Sequence, residues 1–179
     1  MSAPPPASPA TLRVERLASR HDRAAFSCGI PELDDYLCRQ AGQDQRRKVA
    51  ACYVATEPAT PSRILGYYTL SSYGVRLIDL PMDIRRRLPK YPTVPAALIG
   101  RLGVNVEARG RRVGESLLLD ALRRTLRLAD ELAIHAIVVD AKTADASAFY
   151  ARYGFQAFPS EPLRLFMALA TVVQLFKEG

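Results

Sequence analysis

Apolar positions along this chain follow two periods in alternation. Leu12–Leu17 reads as a short strand. Pro31 suits the first turn of a helix, where no N–H is needed, and Leu33, Tyr36, Leu37 and Ala41 follow at helical spacing. Lys48–Thr56 (KVAACYVAT) reads as a strand, Glu57–Ser62 (EPATPS) as a turn segment, and Arg63–Leu77 (RILGYYTLSSYGVRL) as a long β run rich in Tyr and Val. Pro81–Leu88 predicts a short basic helix ended by Pro89, and Ala96–Val106 another strand. Val113–Asp130 gives the clearest helix: Val113, Leu117, Leu118, Ala121, Leu122, Leu126 and Ala129 share one face, while Arg123, Arg124 and Arg127 point away. Ile134–Asp140 (IHAIVVD) is almost continuously apolar, as in a sheet interior. Ala144–Tyr153 reads as a short helix and Leu163–Leu169 as a last strand with a terminal helix after it. This order predicts the α/β class: a central mixed sheet (α+β in pairing) flanked by helices.

Length changes the picture little. At 179 residues the chain has room for one domain. Hydrophobic residues at 49% and charged residues at 24% exclude a wholly disordered chain. No apolar run reaches the roughly 18 residues of a membrane span, so no membrane partner is expected. Residues 1–10 hold four of the 13 prolines and no charged side chain. The expectation is a disordered Pro/Ala-rich tail over 1–11, with the folded domain over 12–179. The tail lacks the basic-then-apolar layout of a signal peptide. Cys28, Cys38 and Cys52 show no C-x-x-C spacing, and His21 and His135 are the two histidines. A disulfide framework or metal site is therefore not expected, and a reducing, cytoplasmic compartment is.

Charge changes it more. The chain carries +7, and all but four of its 25 basic residues are arginine. Guanidinium forks phosphate, so the excess suits an anionic ligand or a nucleic acid; a GC-rich genome would produce the same bias.

The strongest local chemistry lies at Val104–Glu115, V-N-V-E-A-R-G-R-R-V-G-E. A strand ends near Val106, and a loop carrying Arg109, Gly110, Arg111, Arg112 and Gly114 runs into the amphipathic helix. The first N–H groups of a helix have no internal partners and the dipole adds positive charge, so this segment forms a cradle suited to a pyrophosphate. It is not a P-loop, since Glu115 stands where that motif needs Lys, and it is not G-x-G-x-x-G. Without further signals, a solvated basic loop explains it equally well.

Further signals exist. Arg109–Gly114 matches R/Q-x-x-G-x-G/A at a strand–helix junction, and Ala146–Phe155 (ASAFYARYGF) matches A-x-x-F-Y-x-x-x-G-F one helix and one strand later. The pair resembles the GNAT N-acetyltransferase family. One departure is Arg112, which stands where the family has its first Gly; Gly114 is kept. The resemblance extends over roughly 26–176 to the family's toxin branch, which acetylates aminoacyl-tRNA and pairs with a ribbon-helix-helix antitoxin. Its carriers are FSCGIPELDDYL (26–37), ILGYYTLS (64–71), LPKYPTVP (88–95) followed by Ile99-Gly100-Arg101-Leu102, VDAK (139–142) and PLRLF (162–166).

The resemblance implies a GNAT acyl-CoA N-acyltransferase fold with acetyl-CoA as cosubstrate. Its pantetheine arm would lie between Ile99–Val106 and Ile134–Asp140, held by Leu102, Gly103 and Val104, with Arg109, Gly110, Arg111, Arg112, Val113, Gly114 and Glu115 around the diphosphate. Tyr150, in the F-Y position, is implied as general acid for the leaving thiolate. Its residue type alone favours a packing role, apolar ring inward and hydroxyl outward. A free α-amino group titrates at about 7.7–8.0, and esterification lowers that further, so no strong base is demanded. Tyr153, Cys28 and His135 read as packing residues, and Asp140 as a local hydrogen-bonding group.

Arg85, Arg86, Arg87 and Lys90 form one basic cluster, and Arg46 and Arg47 belong to a second. Both read as solvated faces or as contacts to tRNA phosphates or antitoxin. A homodimer is implied by the resemblance alone. Two alternatives stay open: a GNAT enzyme acting on a protein or small-molecule amine, and a non-catalytic nucleic-acid or repressor-binding module. Coenzyme A binding separates the second from the enzymes; the preferred amine pool separates the enzymes from each other.

Overall fold

The computed structural model describes residues 11–178, so the expected tail lies, up to residue 10, outside the described residues. Seven strands form one sheet in the order β1-β2-β3-β4-β5-β7-β6. They are β1 (Arg13–Arg16), β2 (Ala51–Thr56), β3 (Gly66–Arg76), β4 (Thr93–Val104), β5 (Ala136–Asp140), β6 (Gln156–Phe158) and β7 (Glu161–Ala168). Every pairing is antiparallel except β4 with β5, so the sheet is mixed as expected. The helices are α1 (Pro31–Arg39), α2 (Ala41–Arg46), α3 (Met82–Arg85), α4 (Val113–Ala129), α5 (Ala144–Arg152) and α6 (Leu169–Lys177).

One face of the sheet carries a continuous core in which Leu117, Leu118, Ala121 and Leu122 of α4 meet Tyr68, Ile99, Ile137 and Val139, joined by Tyr150 and Val172. The other face carries two separate cores. Leu33, Tyr36 and Leu37 of α1 pack on Cys52, Val54 and Tyr67. Val75, Val94, Ala96, Val138 and Phe166 form the second, around Leu80.

Several boundaries differ from the expectations. The first helix breaks at Gln40 into α1 and α2. The strand expected from Lys48 begins at Ala51, because Lys48 takes a left-handed φ of 59°. The Lys48 N–H reaches the Gln45 carbonyl and the Val49 N–H reaches that of Asp44, the paired bonds that close a helix before the chain reverses. The helix over Pro81–Leu88 is a single turn, α3, beyond which the chain tightens to bonds between Arg87 and Ile84 and between Leu88 and Arg85. β6 has only three residues, too few for a period-two pattern. Arg124 does not point away: it bonds Asp120 and lies 4.1 Å over the Tyr53 ring, while Thr125 is buried and returns its hydroxyl to the Ala121 carbonyl.

Candidate active site

The site begins with a change of partners along β4. From Ala96 to Ile99 the strand pairs with β5, Ile99 opposite Val139. At Gly100 it carries an extra residue: Ile99 opposes Leu70 and Arg101 opposes Thr69, which bulges β4 and bends it. Beyond the bulge β4 keeps β3 but loses β5, so the two parallel strands diverge between Gly100 and Val104. The family resemblance implied a gap between these same two strands.

Alternation decides which backbone groups face it. The Asn105 N–H bonds the Leu65 carbonyl, and a Cβ on Gly66 would meet the Gly103 carbonyl oxygen at 2.9 Å. Gly103 therefore turns its peptide groups toward β3, and Leu102 and Val104 turn theirs into the gap. Gly103, expected to hold a ligand, instead presents its Cα to Cys28 and Tyr67, both 3.4 Å from where a side chain would start. It is a packing glycine beside the gap.

The gap opens onto a cleft of about 490 Å3 walled by Val104, Arg109, Gly110, Arg112, Val113, Gly114, Glu115, Phe149, Arg152 and Tyr153. Asn105 holds the turn that leads to Ala108 on the cleft wall. Its buried amide donates to the Ile64 carbonyl and accepts the Glu107 N–H, which curls Val106–Ala108 into a 3₁₀ turn. No side chain caps the first turn of α4, so the amides of Val113, Gly114 and Glu115 are left for a ligand. α5, by contrast, uses Thr143 to accept the Ala146 N–H. A Cβ on Gly114 would stand 3.4 Å from Val104 and 3.8 Å from Phe149, so anything larger than a methyl at this position would fill the cradle. These features fit a long, thin, diphosphate-bearing ligand with a polar arm.

The loop arginines are less free than expected. The Arg109 guanidinium donates to the Cys28 carbonyl at 3.1 Å, tying the cradle to the loop before α1. Arg111 pairs with Glu57, and Arg63 with Glu107. Arg112 holds Glu115 at 2.6 Å, with its own side chain 81% exposed. Its backbone is left-handed, φ 58° and ψ 27°, the conformation for which Gly is favoured and which costs an L residue about 1–2 kcal/mol. The departure from the motif therefore has a conformational cost as well as a chemical effect.

Tyr150 is 3% exposed, with its ring edge-on to Phe149 and Phe155. It is not on the cleft wall; Phe149 and Tyr153 are. Burial, reinforced by the Asp140 charge, pushes its pKa well above the usual phenol value, so the hydroxyl keeps its proton at neutral pH. Burial raises Tyr153 as well, with Glu115 beside it. Asp140 accepts the Arg164 guanidinium at 2.7 Å, and Arg164 also donates to the Tyr73 hydroxyl. Cys28 donates its N–H to Asp34, and burial pushes its thiol up to about 11, as a structural residue requires. Among the described residues, no group of side chains could hold a metal ion.

The basic clusters lie elsewhere. Arg86, Arg87 and Lys90 are exposed and Arg85 half-buried, and Arg85, Arg86 and Lys90 line a shallow groove with Tyr91. Arg46 and Arg47 are exposed at the end of α2. None of the six pairs with a carboxylate among the described residues. Sequence reasoning assigned no role to Arg101. Its guanidinium stacks 3.6 Å over the Tyr36 ring, with Nε buried and unpartnered.

Comparisons with known proteins bear on this geometry. No family model matches the chain. It is 35% identical over 164 residues to a probable toxin TacT of Sinorhizobium fredii, covering 88% of this chain and 90% of that protein. It is also 35% identical over 154 residues to a tRNA-acetylating toxin of Mycobacterium tuberculosis, covering 86% and 90%. Among solved structures it resembles a mutant of KacT, at TM-score 0.86 and 27% identity over 92% of this chain and 99% of the other. It resembles AtaT complexed with acetyl-methionyl-tRNAfMet at 0.84 and 26%, covering 93% and 99%. It resembles AtaTR bound with AcCoA at 0.81 and 25%, covering 92% and 98%.

Proposed function

The chain belongs to the tRNA-acetylating toxins of the GNAT family, and from that premise we propose that it moves an acetyl group from acetyl-CoA to the α-amino group of an aminoacyl-tRNA, blocking translation. The observation that carries this reading is the divergence of β4 from β5 at Gly100, beside an uncapped helix start. The peptide groups of Leu102 and Val104 would receive the pantetheine arm, and the amides of Val113, Gly114 and Glu115 the diphosphate, with Arg109, Gly110, Arg111 and Arg112 forming the loop around it. When bound, acetyl-CoA supplies an activated acetyl group on sulfur.

The chain's own residues do the rest. The strand amide at Leu102 would donate to the oxyanion that develops on the thioester. Tyr150, packed against the cleft-wall residue Phe149, keeps its hydroxyl un-ionised through burial and would donate that proton to the departing sulfur. The acceptor amine loses one proton to water, and Tyr150 regains one from water, so protons balance over the cycle. The mostly neutral amine of an aminoacyl ester needs no strong base, and the carboxylate on the cleft wall, Glu115, is paired with Arg112.

Arg85, Arg86, Arg87, Lys90, Arg46 and Arg47 are proposed to contact tRNA phosphates. In support, none of them pairs with a carboxylate among the described residues. A ribbon-helix-helix antitoxin, a homodimeric state and a cytoplasmic location complete the reading. Among the described residues no helix is long and apolar enough to cross a membrane. The deciding experiment offers radiolabelled acetyl-CoA with charged tRNA, peptide and small-amine pools. Label should appear on charged tRNA. Label confined to peptides or small amines would overturn the choice of acceptor.

A further inference from the structure

Arg101 stands on β4 immediately after the bulge and one residue before Leu102. Its guanidinium is half-buried, yet none of its donors bonds to any described residue, and Nε is sealed from solvent without a partner. A cation in that position is costly unless something answers it. Its face is already occupied by Tyr36, whose own hydroxyl is committed to Asp44 at 2.9 Å. Tyr36 covers the guanidinium carbon, leaving the terminal N–H groups for a ligand, and that pair of donors matches two oxygens of one phosphate.

Position supports the same assignment. On the α4 face, where the cleft lies, Ile99, Val139 and Tyr150 belong to one continuous core. On the opposite face the core is divided between the α1 cluster and the cluster around Val94 and Val138, and Arg101 stands on β4 between them. An acceptor can approach the end of the gap from that side.

We propose that Arg101 binds the acceptor, taking the phosphate next to the nucleoside that carries the aminoacyl ester and so placing the α-amine at the end of the gap. This rests on the acetyl-transfer reading and adds the phosphate as a second recognition element. Cys52 and Tyr67, both near enough to feel the Arg101 charge, are uncharged at neutral pH because burial raises their pKa values. Neither competes with a phosphate for it.

The test uses the full chain and two small acceptors: the 3′-aminoacyl ester of adenosine, and the same ester carrying a 5′-phosphate. Arg101→Met keeps the stem over Tyr36 and removes the donors; Arg101→Lys keeps the charge without the fork. The parent protein should prefer the phosphorylated ester. Arg101→Met should lower kcat/KM on that ester by about 10- to 100-fold, as expected for lost charge-assisted hydrogen bonds, and leave the phosphate-free ester within twofold. Arg101→Lys should fall between, and the unfolding midpoint and acetyl-CoA affinity of both variants should match the parent. Equal losses on both esters would overturn the proposal and make Arg101 a structural residue. No loss on either would also overturn it. A parent protein that acetylates neither ester nor aminoacyl-tRNA would overturn the acetyl-transfer reading itself.

Discussion

The two halves of β4 are built from similar residues and do different work. From Ala96 to Ile99 the strand is paired on both sides, and Ile99 opposite Val139 is fully buried. After Gly100, the strand is paired only to β3, Leu102 and Val104 are half-buried, and their peptide groups face an opening. One inserted residue makes the difference. The first half is held by the sheet and would tolerate no ligand. The second half has the rigidity of a strand and the unsatisfied backbone of an edge, which suits it to receive an extended polar arm. In the proposed reading, binding comes from withholding a neighbour rather than from adding a side chain.

Variants can break this contrast in order of effect. Tyr150→Phe removes the proton donor proposed for the open half. Turnover should fall by about 10²–10⁴-fold, with acetyl-CoA affinity within twofold. Calorimetry beside a single-turnover assay checks it, and near-parent turnover would take Tyr150 out of the chemistry. Ile99→Ala strikes the closed half and should destabilise by about 2–4 kcal/mol in urea, whereas Leu102→Ala should cost less than half of that. Equal costs would mean that the two halves are equally packed.

Alkaline pH loosens the frame around both halves. Burial raises the pKa values of Tyr36, Tyr67, Tyr68 and Tyr150 above the ordinary 10.0. The folded state binds these protons more tightly than the unfolded one, so the stability they contribute is complete below pH 10. It falls above pH 10 by about 1.4 kcal/mol per tyrosine for each pH unit, until each folded-state value is passed. Absorbance at 295 nm should therefore show these phenols ionising together with the loss of circular dichroism, and ionisation in the folded state would refute their burial. Arg112→Gly should have the smallest effect. Relief of the left-handed backbone should raise stability by about 0.5–1 kcal/mol, less whatever the exposed Glu115 pair contributes. Unfolding in urea measures it, and a loss of stability would show that the ion pair outweighs the strain.

Much of this was legible in the residues because periodicity and turn chemistry are local. The apolar face of α4, the continuous run of β5 and the loop between Arg109 and Gly114 all read directly. The gap itself was placed only through the family resemblance, and the bulge that opens it left one faint trace, Gly100 in a strand. Gly103 was misjudged because strand parity is fixed by the Asn105–Leu65 bond, which joins residues far apart in sequence. The committed state of the loop arginines was invisible for the same reason, since Glu57 and Cys28 reach Arg111 and Arg109 only through the fold. Arg101 was quoted within a motif without a role; its isolation emerges only when every neighbour is placed.

Amide hydrogen exchange with and without acetyl-CoA tests the contrast between the halves most directly. Saturating acetyl-CoA should slow exchange at Leu102 and Val104 and at Val113–Glu115, while Gly103 and Ala96–Ile99, already bonded within the sheet, should not change. Uniform slowing along β4, or no slowing at Leu102 and Val104, would contradict the account.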